Sequence, residues 1–361
     1  MQQTHGIYLA KVRICVILKE KPDLPDRISL RNERSDPMKK IVCLILSALM
    51  LLGTMSACAG ETENTEATTM ANIYQKSDPT QDDTVNILMI GSSFCFYYVE
   101  ELYGMLEAAG IKANVCNVYY SGCPLESHWN WWKTGEANYD YYITNADGRK
   151  QTAGVNLEWC LQQQNWDVIS LQENTTKTYT AGAEKHMTNT RHMLEDLWGY
   201  IKTQFPMSRY FWHQTWIRPV GVAFNGTVTE SAEHQKIYNE RVQAYAKLVC
   251  EAFGLERVPS GDAWQNMRID YGYDNLCARI GKADSAGNPH GGDGSHDGDW
   301  GGGQYLNACV WFEVITGQSC LGNTYRPVYM AGTEDLSLSE EMIQMLQTSA
   351  HKAIEQMKSE S

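Results

Sequence analysis

The sequence predicts an α/β domain with a doubly wound parallel sheet of about five strands and helices on both faces. From residue 84 onwards, short apolar runs alternate with longer segments of helical periodicity. Buried parallel strands are near-continuous apolar runs, and alternation with helices is typical of a parallel sheet that is covered on both sides. A length of 361 residues is sufficient for one large domain with a full core.

The first strand and helix have the clearest boundaries. An apolar strand is predicted over residues 85–90, ending at Gly91, and a helix over 99–109, with Gly110 as its stop signal. Capping-box spacing of Ser337 and Glu340 marks the start of the last helix. The remaining predicted strands are 114–120, 167–171, 209–215 and 257–263. The remaining predicted helices are 184–204, 232–253, 304–316 and a last one that ends at Lys358.

The N-terminal part has the character of an export signal. Residues 1–37 precede a complete signal, so we expect translation to start at Met38 and this extension to lie outside the fold. Residues 38–57 combine two lysines, a short apolar run and small residues, as a signal peptide does. The alternative is a transmembrane helix, but the apolar run is shorter than the roughly 20 residues that a span requires.

The segment Met55-Ser56-Ala57-Cys58 resembles a bacterial lipobox, which implies that Cys58 is diacylated and becomes the mature N-terminus. Residues 58–83 are polar and are predicted to be a flexible tether, which leaves 84–361 as the folded domain. We therefore expect a protein of the bacterial cell envelope that is lipid-anchored and faces away from the cytoplasm.

The charge of the chain restricts its partners. Asp and Glu number 43 against 30 Lys and Arg, which gives a net charge of −13. Nucleic-acid binding depends on basic surfaces, so nucleic acid is excluded as the main partner. An acidic globule is repelled by anionic lipid, so we expect membrane contact only through the anchor at Cys58. The other cysteines match no disulfide framework or zinc motif, and free buried thiols are expected for several of them.

Two segments contain residues suited to acyl transfer. Ser93 directly follows the first strand, where a serine hydroxyl can be exposed at the start of a helix; the alternative is a helix N-cap. Near the C-terminus, Asp293 precedes His296 by three residues in a glycine-rich loop. The carboxylate can orient one imidazole nitrogen while the other acts as a general base.

The loop around His296 has two other interpretations. It could be a solvated loop without a function. It could also be a metal site, because Asp293, Asp297 and Asp299 alternate with glycine somewhat as in calcium loops. The oxygen spacing is incomplete for a known loop type, so no metal is predicted.

Six sequence blocks, in this order, resemble those of the SGNH/GDSL hydrolases. They are ILMIGSSF, YYSGCPLESHW, WDVISLQE, WHQTW, PSGDAW and GDGSH…GGGQYLNACVWFEVITG. Over residues 84–320 they are most similar to a bacterial subgroup of that family that is catalogued as a domain of unknown function. The resemblance implies a flavodoxin-like fold and a serine ester hydrolase that needs no cofactor.

The resemblance also implies roles for individual residues. Ser93 is expected to be the nucleophile, His296 its general base and Asp293 the residue that orients His296. The oxyanion hole would consist of the Ser93 N–H, the Gly122 N–H and the Asn174 side chain. Gln172 is the rival for the place of Asn174, because the third block departs from the usual pattern of the family.

Aromatic residues after the second block are candidates for a sugar subsite. His128, Trp129 and Trp132 would line it, and Trp216 would border the pocket; core or lid packing is the alternative for such side chains. His213 lies within an apolar strand and is predicted to be a core histidine. Asp262 is either a sheet-edge or a pocket residue.

Together these features predict an extracytoplasmic serine esterase that hydrolyses short acyl esters of small molecules or glycans, with O-acetyl groups on carbohydrate as the leading candidate. Two alternatives remain. One is a surface-anchored carbohydrate-binding lipoprotein on an inactive SGNH fold, which Ser92, in the place of the usual Asp or Asn, and the altered third block favour slightly. The other is a metal-dependent hydrolase that uses the Asp293–Asp299 loop.

Overall fold

A computed structural model describes residues 83–221, 223–224, 227–272, 302–328, 330–331, 334–335 and 337–360. The segment predicted to be a signal peptide, Cys58, Asp293, His296 and the rest of the glycine-rich loop lie outside the described residues. The predictions that rest on them therefore remain predictions from the sequence.

Eleven strands are present in the described part of the chain. They are β1 (Val85–Gly91), β2 (Ala113–Tyr119), β3 (Tyr139–Asn145), β4 (Gly148–Val155), β5 (Val168–Leu171), β6 (Arg209–His213), β7 (Ala223–Phe224), β8 (Thr227–Val228), β9 (Glu256–Val258), β10 (Met330–Ala331) and β11 (Glu334–Asp335). Seven of them form the central sheet in the order β4-β3-β2-β1-β5-β6-β9. The others form two short hairpins, β7 with β8 and β10 with β11.

Nine α-helices lie in the described segments, together with a single 3-10 turn at Ser93–Cys95. They are α1 (Val99–Ala108), α2 (Leu125–Thr134), α3 (Leu157–Leu161), α4 (Thr175–Ala181), α5 (Ala183–Gln204), α6 (Ala232–Phe253), α7 (Ser260–Tyr271), α8 (Gly302–Thr316) and α9 (Glu340–Ser359). None of the helices in these segments has both the length and the apolar character needed to cross a bilayer.

The central strand β1 is apolar on both faces because both faces are covered. Ile87 and Met89 belong to a core with α1, α7, α8 and α9, whereas Leu88 and Ile90 belong to a core with α2, α3, α5 and α6. Successive side chains of a strand point to opposite faces, so a run without polar residues is what a sheet between two helical layers requires. Helix α8 is buried on all sides, which explains why it shows little amphipathic pattern.

The five parallel strands predicted from the sequence are present, in the flavodoxin-like order β2-β1-β5-β6-β9. The predicted fold class is therefore confirmed. An antiparallel hairpin, β3 with β4, extends the sheet beyond β2 and was not predicted. Its outer strand is largely exposed and polar, so it lacks the apolar run by which the other strands were recognised.

Two predicted boundaries were wrong. The expected strand over 257–263 ends at Val258, and α7 begins at Ser260, because Pro259 has no N–H to continue the ladder. The predicted cap of the last helix at Ser337 is replaced by Ser339, whose hydroxyl accepts from the Met342 N–H at 3.2 Å.

The cysteines of the described segments are all free, and six of these seven are buried. The expectation of free buried thiols is confirmed for them.

Candidate active site

Three neighbouring strands bring the predicted nucleophile and oxyanion-hole residues to one edge of the sheet. In the parallel register, Gly91 of β1 lies opposite Tyr119 of β2, and Ile90 of β1 lies opposite Leu171 of β5. Ser93, Gly122 and Asn174 follow these strand ends by two or three residues. Sites of doubly wound sheets lie at this carboxyl edge.

Ser93 is the first residue of the 3-10 turn, and Ser92 is its N-cap. The cap makes no side-chain bond to the turn, so neither serine acts as the side-chain N-cap considered as the alternative. Ser93 is 6% exposed. Within the described residues, neither its hydroxyl nor its N–H has a hydrogen-bond partner. No described residue therefore occupies either group.

Ser92 is engaged in a buried chain of neutral hydrogen bonds. Its hydroxyl accepts from Gln172 Nε2 at 2.8 Å, Gln172 Oε1 lies 3.2 Å from His213 Nδ1, and His213 Nε2 lies 3.0 Å from Ser260 Oγ. These partners assign the proton of the imidazole to Nδ1, which donates to Gln172, while Nε2 accepts from Ser260. The chain ties the ends of β1, β5 and β6 to the start of α7.

The chain of hydrogen bonds depends on a glycine. A Cβ atom at Gly91 would lie 2.5 Å from Gln172 Cγ, closer than non-bonded carbons approach. Gly91 thus leaves the space in which the Gln172 side chain passes behind the serine turn.

His213 is a core residue, as predicted. It is 2% exposed, and burial lowers its pKa to about 3. Tyr98, Trp216 and Trp311 surround its ring at centroid distances between 5.3 and 6.2 Å. A neutral imidazole with both nitrogens engaged does not serve as the base for Ser93.

Gly122 and Asn174 contact each other across the site. Gly122 has φ of +65°, a backbone conformation that glycine adopts without strain, and its N–H has no acceptor in the described chain. Asn174 Nδ2 donates to the Gly122 carbonyl at 3.1 Å, and Asn174 Oδ1 caps α4 by accepting from the Thr176 N–H. One amide hydrogen of Asn174 remains for a ligand.

The two rivals for the third oxyanion donor differ in placement. Gln172 is 1% exposed, and both atoms of its amide are engaged in the buried chain. Asn174 is only partly buried and lies against Gly122. The geometry therefore favours Asn174 over Gln172.

Two of the four predicted subsite residues are buried. His128 has no exposed surface, and its Nδ1 lies 2.8 Å from the Tyr139 hydroxyl. Trp216 is 1% exposed and packs on Trp264, at 4.8 Å between ring centroids, and on Phe94, at 4.4 Å. In these contacts both side chains pack in the interior, the alternative to the predicted subsite, and their contact with a substrate stays a prediction.

The other two tryptophans join helices. Trp129 Nε1 donates to Asp196 at 2.8 Å, and the Trp132 ring lies 5.1 Å from that of Tyr200, so both attach α2 to α5. Their observed role is again packing, the alternative considered from the sequence.

Asp262 belongs to a buried polar network and also borders a cavity of about 290 Å³. Its Oδ1 accepts from Gln214 and Asn239, and its Oδ2 accepts from Gln243 and Arg257, at 2.8 to 3.2 Å. Four hydrogen bonds saturate the carboxylate.

Sequence reasoning missed a buried pair next to Asn174. Glu173 Oε2 lies 2.9 Å from His186 Nε2, and both residues are at most 6% exposed. No sequence period links Glu173 of the third block to His186, so the sequence carries no signal for the pair. No cluster of three or more metal-ligating side chains occurs among the residues that the structure describes.

The buried histidines predict a pH dependence of stability. Burial lowers the pKa of His128 to about 3, far below the value near 6.5 in an unfolded chain. The unfolded state therefore binds more protons, so the stability that neutral His128 confers is complete above about pH 6.5 and is lost as the pH falls towards 3.

Leucine at position 128 does not titrate, so only wild type loses this stability in acid. As the pH falls from 6 to 4, the difference in the free energy of unfolding between wild type and His128→Leu is expected to narrow by up to about 1.4 kcal/mol per pH unit. Urea unfolding at several pH values measures it. His192→Leu, at an exposed position of α5, is the matched control. Parallel stability curves for His128→Leu and wild type would contradict the prediction.

The fold and the site define a doubly wound α/β protein with a serine-centred site at the strand ends. The chain belongs to the DUF4886 family, described as a domain of unknown function, whose model matches residues 86–344. A solved structure of a DUF4886 family protein from Bacteroides uniformis is similar, with a TM-score of 0.61 and 25% identity over 75% of this chain and 95% of that chain.

More remote solved structures include enzymes. The lipase/acylhydrolase from Enterococcus faecalis is 15% identical, with a TM-score of 0.39 over 64% of this chain and 96% of that chain. An acetyl xylan esterase is 9% identical, with a TM-score of 0.37 over 64% of this chain and 100% of that chain. Likenesses this remote do not assign an activity. No curated protein matches the sequence significantly.

Proposed function

We propose that the protein is a serine ester hydrolase of the SGNH/GDSL type. One observation carries the proposal: among the described residues, the Ser93 hydroxyl has no hydrogen-bond partner and lies at the same sheet edge as three donors without a described acceptor, namely the Ser93 N–H, the Gly122 N–H and one amide hydrogen of Asn174. Acyl transfer needs a nucleophile together with donors for the oxyanion, and this edge holds both kinds of group.

The proposed reaction combines these groups with His296 and Asp293, which the sequence resemblance supplies. Ser93 Oγ attacks the acyl carbon of the ester, and His296 accepts the hydroxyl proton. The negative charge that develops on the carbonyl oxygen is bound by the three donors, and the alcohol leaves with the proton from His296. Water then hydrolyses the acyl-enzyme by the same steps. The roles of His296 and of Asp293, which orients it, rest on the sequence resemblance.

The proposed substrates are short acyl esters, with O-acetyl groups on extracellular carbohydrate as the leading class. Support comes from the export signal and the lipobox at Cys58, which would place the domain outside the cytoplasm on a lipid anchor. The acidic charge of the domain opposes polyanionic partners.

A second candidate function is carbohydrate binding on an inactive fold. It is favoured by Gln172, which turns inward to Ser92 instead of contributing to the site. This function would need neither the Ser93 hydroxyl nor turnover.

A fluorophosphonate probe together with a substrate screen tests the proposal. We expect one covalent adduct per chain on the peptide that contains Ser93, because a serine with an adjacent base and oxyanion donors reacts selectively. The same protein is expected to release acetate from acetylated glycans and from p-nitrophenyl acetate. Pre-incubation with EDTA should change neither result.

Three other outcomes would decide against the proposal. Glycan binding without an adduct or released acetate would favour the carbohydrate-binding function. Activity that EDTA abolishes while Ser93 remains unlabelled would favour the metal-dependent alternative. An adduct on another serine would displace Ser93 as the nucleophile.

A further inference from the structure

A single carboxylate joins the two loops of the proposed oxyanion hole. Glu173 Oε1 accepts from the Leu125 N–H at 2.9 Å and from the Asn174 N–H at 2.6 Å. Leu125 is the first residue of α2 and lies three residues after Gly122, whereas Asn174 is the N-cap of α4. One oxygen atom thus accepts a backbone hydrogen bond from each of the two loops.

The carboxylate is fixed in this position by its surroundings. The Glu173 side chain is 4% exposed, and a buried carboxylate is costly unless all its acceptor sites are matched. The second oxygen meets His186 Nε2 at 2.9 Å, so the two oxygens have three partners. The imidazole packs against Tyr245, at 4.7 Å between ring centroids, which restricts its movement.

A second link connects the same two loops. Asn174 Nδ2 donates to the Gly122 carbonyl at 3.1 Å. The Glu173 link lies in the buried layer, and the Asn174 link lies nearer the surface. Two links at different depths fix both the separation and the relative rotation of the loops, which is what preorganised oxyanion donors require.

On the basis of the proposed function, we propose that Glu173 is a positioning residue that holds the Gly122 N–H and the Asn174 amide in their relative geometry, and that His186 holds Glu173. Glu173 itself does not touch the substrate. It acts through the backbone of Leu125 and Asn174.

A neighbouring glutamate provides a matched control. A cavity of about 400 Å³ borders the Glu173–His186 pair and is also lined by Glu126 and Lys177. Glu126 belongs to the first turn of α2, close to Leu125, but accepts no hydrogen bond from either loop within the described residues. Its removal changes the charge near the cavity and leaves both links intact.

The first readout separates kcat from KM for a short-chain ester. Glu173→Ala is expected to lower kcat by about 10²-fold, the typical effect of losing one oxyanion donor, with KM within about threefold of wild type. Oxyanion donors act only once charge develops, so ester binding is spared. Glu173→Gln is expected to recover kcat to within about tenfold of wild type, because its amide oxygen accepts the same two N–H groups. Glu126→Ala should match wild type.

The second readout does not require activity. Amide hydrogen exchange at Leu125 and Asn174, followed by NMR, is expected to accelerate at least tenfold in Glu173→Ala and to remain at the wild-type rate in Glu126→Ala. Both amides lose their acceptor only in the first variant.

The two readouts distinguish failure of the proposed function from failure of the positioning role of Glu173. If the wild-type protein hydrolyses no ester, the proposed function fails, and the exchange rates still report whether Glu173 holds both amides. If wild type is active and folded Glu173→Ala keeps its kcat, or loses affinity rather than kcat, the positioning role is overturned. Unchanged exchange at both amides overturns it as well.

A second pair of variants covers the case in which Glu173→Ala does not fold. His186→Leu is expected to lower kcat about tenfold at constant KM, because Glu173 loses the partner of its second oxygen. His186→Gln, whose amide can donate to Glu173, is expected to restore most of the loss. Equal kcat values in His186→Leu and wild type would contradict the proposal.

Discussion

Ser93→Ala is expected to lower kcat for a short-chain ester by about 10⁴- to 10⁶-fold, the range that loss of a nucleophile causes in serine hydrolases. The hydroxyl has no structural partner in the described residues, so its removal should leave stability within about 0.5 kcal/mol of wild type. Initial rates with p-nitrophenyl acetate, together with urea unfolding, measure the two effects.

Ser92→Ala is the matched comparison. Its hydroxyl accepts from Gln172 in a buried chain, so its loss leaves an unpaired amide donor and costs about 1–3 kcal/mol of stability. Its activity should stay within about tenfold of wild type. The two adjacent serines are therefore expected to show opposite profiles. Substantial turnover by folded Ser93→Ala, or equal losses in both variants, would contradict the assignment of the nucleophile.

Asp262→Ala is expected to destabilise the domain by about 2–4 kcal/mol, because buried donors lose their acceptor while Arg257 keeps its ion pair with Glu360. Arg257, whose side chain is 6% exposed, would lose one of its two carboxylate partners, and three amide donors would lose their acceptor. The midpoint of urea unfolding, with the slope checked for constancy, measures the loss.

Two variants test whether the loss of stability comes from the Asp262 network or from removing any aspartate of α7. Asp262→Asn keeps one acceptor oxygen and should lie between wild type and Asp262→Ala. Asp270→Ala, in the same helix, removes a more exposed pair with Lys352 and should cost no more than about 1 kcal/mol. A similar cost for Asp262→Ala and Asp270→Ala would show that the network contributes little.

The parts of the fold that the sequence predicts are those with a periodic signal. The helix over residues 232–253 coincides with the observed bounds of α6, and the strand at Val85 was recognised from an unbroken apolar run. The β3–β4 hairpin was not predicted, because its outer strand faces water and has no such apolar run. The predicted strand over 257–263 was too long, because Pro259 ends the strand at Val258 and the helix α7 begins at Ser260.

The sequence predicts those residues of the site that directly follow the ends of strands. Ser93, Gly122 and Asn174 each lie just beyond a strand, and parallel strands place such residues at one edge. The Glu173–His186 pair and the Asp262 network could not be predicted, because they join residues from different elements through side-chain contacts without any sequence period. Composition alone does not distinguish a buried ring from a binding surface, so the sequence did not indicate that Trp216 is buried.

The close approach of Gln172 to Gly91 makes the two positions dependent on each other. A side chain at 91 needs the volume that the methylene groups of Gln172 now occupy, so no residue larger than glycine fits while Gln172 keeps its place. A chain with a shorter side chain at 172 could accept alanine at 91, but its Ser92 would need another hydrogen-bond donor. Among homologous chains, residues 91, 92 and 172 should therefore vary as a group, and transplanting any one of them alone should be disfavoured.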